Sequence, residues 1–206
     1  MIAKIKWYLR KFLVRELAKL IGDVNEKYER SEWRKIITQF NFLGSNVSIQ
    51  YPYFISGANF ICIGANFTVA HNLRLEAITN YMGEKFTPTI YIGNNVSIES
   101  NCHIGAINKI VIEDGVMIAS NVYISDHFHG HIIKEELTCP PAERLLSSKG
   151  PVIISKNVWI GDSVCILPNV TIGENTIIGA NSVVTKSVPP NSVVAGVPAT
   201  IIRMLN

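Results

Sequence analysis

The chain has 206 residues, 48% of them apolar and 17% charged, with a formal net charge of +3. That length gives one large domain, or one domain with an appendage, and that composition excludes a disordered chain. Apolar runs fall short of the roughly 18 residues of a membrane-spanning helix, and the charge is too mild to argue for nucleic acid as a partner.

Residues 1–21 read as an amphipathic helix. Ile2, Ile5, Leu9, Phe12, Leu13, Leu17, Leu20 and Ile21 recur at three- and four-residue spacing, and Gly22 is the expected stop. A second helix is expected over residues 25–40, with Tyr28, Trp33, Ile36, Ile37 and Phe40 on its apolar side. The first 20 residues carry a charge of +5, which leaves −2 on the remainder. Basic residues break every candidate apolar core of a signal peptide. A basic amphipathic helix suits an anionic membrane surface, or packs on the body or on a neighbouring subunit.

After residue 42 Lys and Arg thin out, and Ile, Val, Gly and Asn take over. The period becomes six. Ile154, Ile160, Ile166, Ile172, Ile178 and Val184 follow one another without a slip. The same spacing links Ile92, Ile98 and Ile104, then Ile112, Ile118 and Ile124. Weaker copies run through Leu43, Ile49 and Ile55, and through Ile63 and Val69. Six fits neither an α-helix nor an alternating strand. It fits a short strand plus a turn, three of which make one triangular coil with the aliphatic residue inward. Small residues such as Gly93, Gly105, Gly161, Gly173 and Gly179 follow the aliphatic one, and Asn suits the corners because it tolerates left-handed backbone.

Residues 78–89 and 126–151 interrupt the period and read as loops leaving the stack, often a binding face in such folds. The expected organisation is a helical arm (1–42), a parallel β-helix (43–198) with those two insertions, and a short helical tail (199–206).

The second insertion opens with Asp126-His127-Phe128-His129-Gly130-His131, three of the five histidines in the chain. Imidazoles serve general acid–base chemistry or bind metal, and Asp126 could orient one of them. A polar loop with solvated histidines is the plain alternative. His103 lies within the repeat, where a structural role is the simplest expectation. Four scattered cysteines (Cys62, Cys102, Cys139, Cys165) without a C-x-x-C pair fit reduced thiols in a cytoplasmic protein.

Four stretches carry a resemblance: Asp126-His127-Phe128-His129, Asn157-Val158-Trp159-Ile160-Gly161, Gly179-Ala180-Asn181-Ser182-Val183-Val184-Thr185-Lys186 and Ala195-Gly196-Val197-Pro198-Ala199. Together with the repeats they make residues 43–206 resemble the hexapeptide-repeat acyltransferases of left-handed β-helix fold. The nearest branch is that of the galactoside, maltose and polysaccharide O-acetyltransferases. The resemblance implies an all-β fold, a homotrimer with active sites between subunits, and acetyl-CoA as donor with no metal. It implies direct transfer to a hydroxyl of a saccharide or other small-molecule acceptor, with a loop histidine as general base. His127 is favoured because it follows Asp126 and leaves the coil first; His129 is the runner-up. Trp159 would flank the pantetheine arm or the acceptor. Backbone N–H groups around Gly161 and Asp162 would face the thioester oxyanion. Ala180, Thr185 and Lys186 match the CoA channel, and Arg203 a basic position near the nucleotide phosphates. Thr200 stands where a second basic residue is common. Three alternatives stay open: N-acetylation of an amino-sugar nucleotide, a zinc lyase of the γ-carbonic anhydrase type using His103 and the loop histidines, and a non-catalytic scaffold.

Overall fold

The computed structural model describes residues 2–131, 133–136 and 138–205. The side chains of residues 2–9, among them Ile2, Ile5 and Leu9 of the expected apolar face, lie outside that description. The chain divides into two compact units, residues 1–38 and 39–206.

The first unit is one helix, α1 (Ile2–Ile37), of 36 residues. The expected stop at Gly22 and the second helix over residues 25–40 are therefore corrected to a single continuous element. One interior glycine costs about 1 kcal/mol relative to alanine. That is too little to break a helix free of proline and rich in Leu, Lys, Arg and Glu. Exposed pairs Arg30–Glu26 and Lys35–Glu32 add side-chain support at four- and three-residue spacing. Arg34 and Lys35 occupy the last turn, where cations complement the helix dipole, and the Thr38 hydroxyl donates to the Lys35 carbonyl at 3.2 Å.

The second unit is a parallel β-helix. Among the described residues, six coils follow one another, each contributing one strand to each of three faces. Face A begins with Phe42–Leu43 and ends at Thr171–Ile172, face B begins with Ser48–Ile49, and face C runs from Tyr53–Ser56 to Val183–Val184. Every strand pairs in parallel with its equivalent one coil away, for example Ile112 with Ile154 on face A, Ile118 with Ile160 on face B and Ile124 with Ile166 on face C. The aliphatic residues of the period fill the interior: Ile154, Ile160, Ile166, Ile172, Ile178 and Val184 are all buried. Each such side chain contributes on the order of 1.5–3 kcal/mol of hydrophobic stabilisation.

The corner between faces A and B shows why Asn recurs. Asn46, Asn66, Asn95, Asn157, Asn175 and Asn191 all adopt left-handed backbone, with φ between 54° and 57°. Their amides form a ladder up the corner: Asn46 donates to Asn66 (3.1 Å), Asn66 to Asn95 (2.9 Å), Asn157 to Asn175 (3.2 Å) and Asn175 to Asn191 (2.9 Å). Gly115 (φ 73°) fills the fourth-coil position of this column.

Both insertions leave the prism at the corner between faces C and A. The first forms the small hairpin Asn80–Tyr81/Glu84–Lys85. The second forms an antiparallel ladder of Phe128–His129 with Leu146–Ser147, with short helical turns at Lys134–Glu136 and Pro141–Glu143.

The C-terminal segment corrects the sequence expectation. In place of the helical tail expected over residues 199–206, Ala199–Met204 is a strand, antiparallel to Ser192–Gly196 on face B. Thr200, Ile201 and Ile202 are β-branched, so they favour a strand, and Gly196 (φ 106°) with Pro198 reverses the chain after face B.

Candidate active site

The arrangement of the faces dictates which side chains meet. On the third strand of each coil, the residue before the inward aliphatic one points outward. These positions align in register up face C as Phe54, Arg74, His103, Tyr123, Cys165 and Val183. Arg74, His103 and Tyr123 form the floor of a cleft of about 710 Å³. The two insertions wall it with Tyr81, His127 and His129. Its size is typical of a small-molecule site.

His127 is the best-fixed imidazole in the cleft. Its side chain is 11% exposed and that of Asp126 is fully buried. The Asp126 carboxylate accepts the N–H groups of Ile107 (2.9 Å), Asn108 (2.8 Å) and Lys109 (2.7 Å). It thereby clamps the insertion to the turn that joins the third and fourth coils. Its Oδ1 also lies 3.1 Å from His127 Nδ1. Ser125 Oγ is a second neighbour of Nδ1 at 3.1 Å and gives its own proton to the His127 carbonyl at 3.1 Å. Both neighbours of Nδ1 are thus acceptors. The neutral ring consequently carries its proton on Nδ1 and keeps the lone pair on Nε2, the state a general base requires.

His129 is exposed and differently supported. Tyr81 donates its hydroxyl proton to the Ala142 carbonyl at 2.8 Å, so His129 Nδ1–H donates to Tyr81 Oη across 3.3 Å. The rings meet edge-on at 5.4 Å. No hydrogen bond to a carboxylate backs this ring among the described residues. His131 points elsewhere, toward the Glu136 carboxylate at 3.0 Å.

A second polar group on the floor was missed by sequence reasoning. The buried Glu76 carboxylate accepts from Arg74 Nε and from His103 Nε2–H at 3.0 Å. Burial, reinforced by the Arg74 guanidinium, holds the pKa of His103 below the usual histidine value despite Glu76. Gly105 separates the two imidazoles: a Cβ there would lie 3.3 Å from His103 Nε2 and 3.4 Å from His127 Cε1. Counting the outward position coil by coil would have revealed Arg74 and Tyr123 beside His103. Glu76, two residues beyond Arg74, follows from the same strand.

The expected donor-side residues lie elsewhere on the prism. Trp159 is half-exposed on face B, and its register row continues through Ile177 and Val193 to Arg203 on the edge strand. At a strand spacing of about 4.8 Å, Trp159 and Arg203 are roughly 14 Å apart. Gly161, Asp162 and Ala180 sit at the corner between faces B and C. A Cβ on Gly161 would lie 2.8 Å from the Ala180 nitrogen, so the close stacking of coils requires glycine. The Gly161 N–H donates to the Ile178 carbonyl at 2.9 Å, which removes it as an oxyanion donor. The Asp162 carboxylate accepts the Ser120 N–H at 3.1 Å. Thr185 and Lys186 are exposed beyond face C. Within one chain, then, the cleft histidines and the Trp159–Arg203 row occupy different faces. No group of three or more His, Cys, Asp and Glu side chains among the described residues is placed to share a metal ion.

Comparison with known proteins accounts for this architecture. Residues 151–186 match the bacterial transferase hexapeptide (six repeats) family. WbbJ of Escherichia coli strain K12, named as a lipopolysaccharide biosynthesis O-acetyl transferase, is 38% identical over 77% of this chain and 79% of its own length. The galactoside O-acetyltransferase of the same strain is 44% identical over 68% of this chain and 64% of its own length. A hexapeptide-repeat acetyltransferase of Vibrio cholerae O1 biovar eltor, solved with acetyl coenzyme A, superposes with a TM-score of 0.54. It is 25% identical and covers 86% of this chain and 78% of that one. Period, coil geometry and relatives agree: this left-handed β-helix belongs to the hexapeptide-repeat acetyltransferases, in the branch of the sugar O-acetyltransferases.

Proposed function

We propose that the chain transfers an acetyl group from acetyl-CoA directly to a hydroxyl of a sugar or polysaccharide precursor, with His127 as general base. The observation that carries this reading is the pair of neighbours at His127 Nδ1: Asp126 Oδ1 and Ser125 Oγ both lie 3.1 Å from it, which favours the proton there, and His127 lines the cleft. Acetyl-CoA would supply the activated thioester carbonyl. His127 Nε2 takes the acceptor O–H proton as the new C–O bond forms. It returns that proton to the thiolate as the C–S bond breaks, so the imidazole ends neutral. Asp126 and Ser125 keep the ring in place and stabilise its transient positive charge. His129 binds or orients the acceptor from the rim.

The donor is assigned to Trp159, Gly161, Asp162, Ala180, Thr185, Lys186 and Arg203, with the Asp162 N–H, not that of Gly161, toward the oxyanion. Because cleft and donor row occupy separate faces of one prism, the complete site needs face B of a second subunit beside face C of the first. This supports a homotrimer. The four free cysteines suit a reducing, cytoplasmic setting.

The test pairs binding with turnover. Acetyl-CoA titrated calorimetrically into chelator-treated protein should saturate near one site per chain. An acceptor panel of sugars, amino sugars and lipid-linked sugars should then give O-acetyl products. His127→Ala should abolish turnover and leave acetyl-CoA binding intact. Unchanged kcat in that variant would remove His127 as the base, and products acetylated only on nitrogen would overturn the choice of a hydroxyl acceptor.

A further inference from the structure

Among the described residues no helix is long and apolar enough to cross a membrane, yet α1 displays an apolar stripe along its middle third. Leu13, Val14, Leu17, Leu20, Ile21 and Val24 are each 52–64% exposed. At 3.6 residues per turn they fall within a single arc of about 120°. Arg15 and Lys19 lie on the opposite side. The charge of +5 over residues 1–20 lies mostly ahead of this stripe, in Lys4, Lys6, Arg10 and Lys11; within residues 13–24 Arg15 and Lys19 are balanced by Glu16 and Asp23.

Besides the body of a subunit, two occupants suit such a stripe: another copy of α1, or a lipid surface. A helix–helix seam would use Leu13, Leu17, Leu20 and Val24 at alternating four- and three-residue steps. The seam positions before and after them are Arg10, Lys27 and Ser31. The apolar seam therefore lasts under two heptads, short of the three to four that a coiled coil needs. Juxtaposed copies would also bring their +5 segments together. An anionic bilayer removes both difficulties. It buries a stripe of any length and attracts the basic residues, all within about one Debye length (~10 Å) of the headgroups across a helix 10–12 Å wide.

We infer that α1 is a surface-lying membrane helix that docks the protein on anionic lipid through the Leu13–Val24 stripe. The inference is independent of the transferase chemistry, which resides in the second unit. It sets the arm's partner as a bilayer carrying negative headgroups.

The test uses the full-length chain and co-sedimentation with vesicles. Vesicles of phosphatidylcholine with about 30% phosphatidylglycerol should bind it at ~50 mM salt, and binding should fall at least about tenfold at ~500 mM salt or on pure phosphatidylcholine. Leu17→Ser with Leu20→Ser should abolish binding, and Arg15→Gln with Lys19→Gln should weaken it about tenfold or more. Both double variants should keep the wild-type mass by light scattering. Failure of the wild type to bind anionic vesicles would overturn the inference, as would undiminished binding by the Leu17/Leu20 variant. A reduced assembly mass for that variant would assign the stripe to contacts between copies instead.

Discussion

Replacing Asp126 by asparagine separates the two duties of its carboxylate. In the native protein three backbone N–H groups and His127 Nδ1–H all donate to it. An amide keeps only one oxygen. With that oxygen toward Asn108 and Lys109, the new NH₂ group opposes the Ile107 N–H and Nδ1–H, donor against donor. The buried Ile107 N–H then loses its acceptor, a loss of about 1–3 kcal/mol. For a chain of this length that lowers Tm by a few degrees to about 10 °C. Ser125 Oγ remains as an acceptor for Nδ1–H, but without the carboxylate the native tautomer competes with the one protonated on Nε2, which lacks the lone pair the reaction needs. In serine-protease triads the equivalent tautomer error costs about 10⁴ in kcat. We expect Asp126→Asn to lose on the order of 10³–10⁴ in kcat. KM for acetyl-CoA should be nearly unchanged, since the donor residues lie on another face. Steady-state kinetics beside a thermal melt would check this. A folded variant with kcat within about threefold of wild type would refute the tautomer argument.

Three further predictions follow from the same geometry. Gly105→Ala places a methyl 3.3–3.4 Å from the His103 and His127 imidazoles, so it should lower kcat by about tenfold while shifting stability by under about 1.5 kcal/mol; wild-type kinetics would show that the rings have room to spare. The pKa of His103 lies below the usual 6.5, so protons bind the unfolded chain preferentially, and stability is lost as pH falls from 6.5 toward the lowered value. His103→Gln should flatten that part of the stability–pH profile, measured by denaturant midpoints, and an unchanged slope would contradict the assignment. Asn175→Ala forfeits both the corner ladder and a residue suited to φ 56°, for about 1–3 kcal/mol. Asn175→Gly keeps the backbone fit and should lose less; equal midpoints for the two would show that the ladder alone matters.

The six-residue period made the interior legible because each inward position is fixed by one rule that repeats. It equally located the insertions, as places where the rule lapses. What it did not reveal depends on relations between coils. Tyr81 reaches His129 because both insertions leave the same corner two coils apart, and nothing local to either loop encodes that. Glu76 and Arg74 meet His103 because consecutive coils stack in register. The helical arm was misread for a different reason. Gly22 is a common stop signal, but a local preference of about 1 kcal/mol is outvoted by a long run of good helix formers. At the C-terminus, eight residues offered no repeat, and pairing with the Ser192–Gly196 strand decided their conformation.

That last strand also bears on polymerisation. A parallel coil stack ends in exposed strand edges that could template another coil, from a second molecule as readily as from the same chain. A copy stacking end to end must extend all three faces in one parallel register. The Ala199–Met204 strand runs backwards on face B, so parallel growth on faces A and C cannot be matched there. Head-to-tail filaments require both ends of a subunit to be competent. Closing one end is enough, and the backward-running Ala199–Met204 strand blocks such growth on face B.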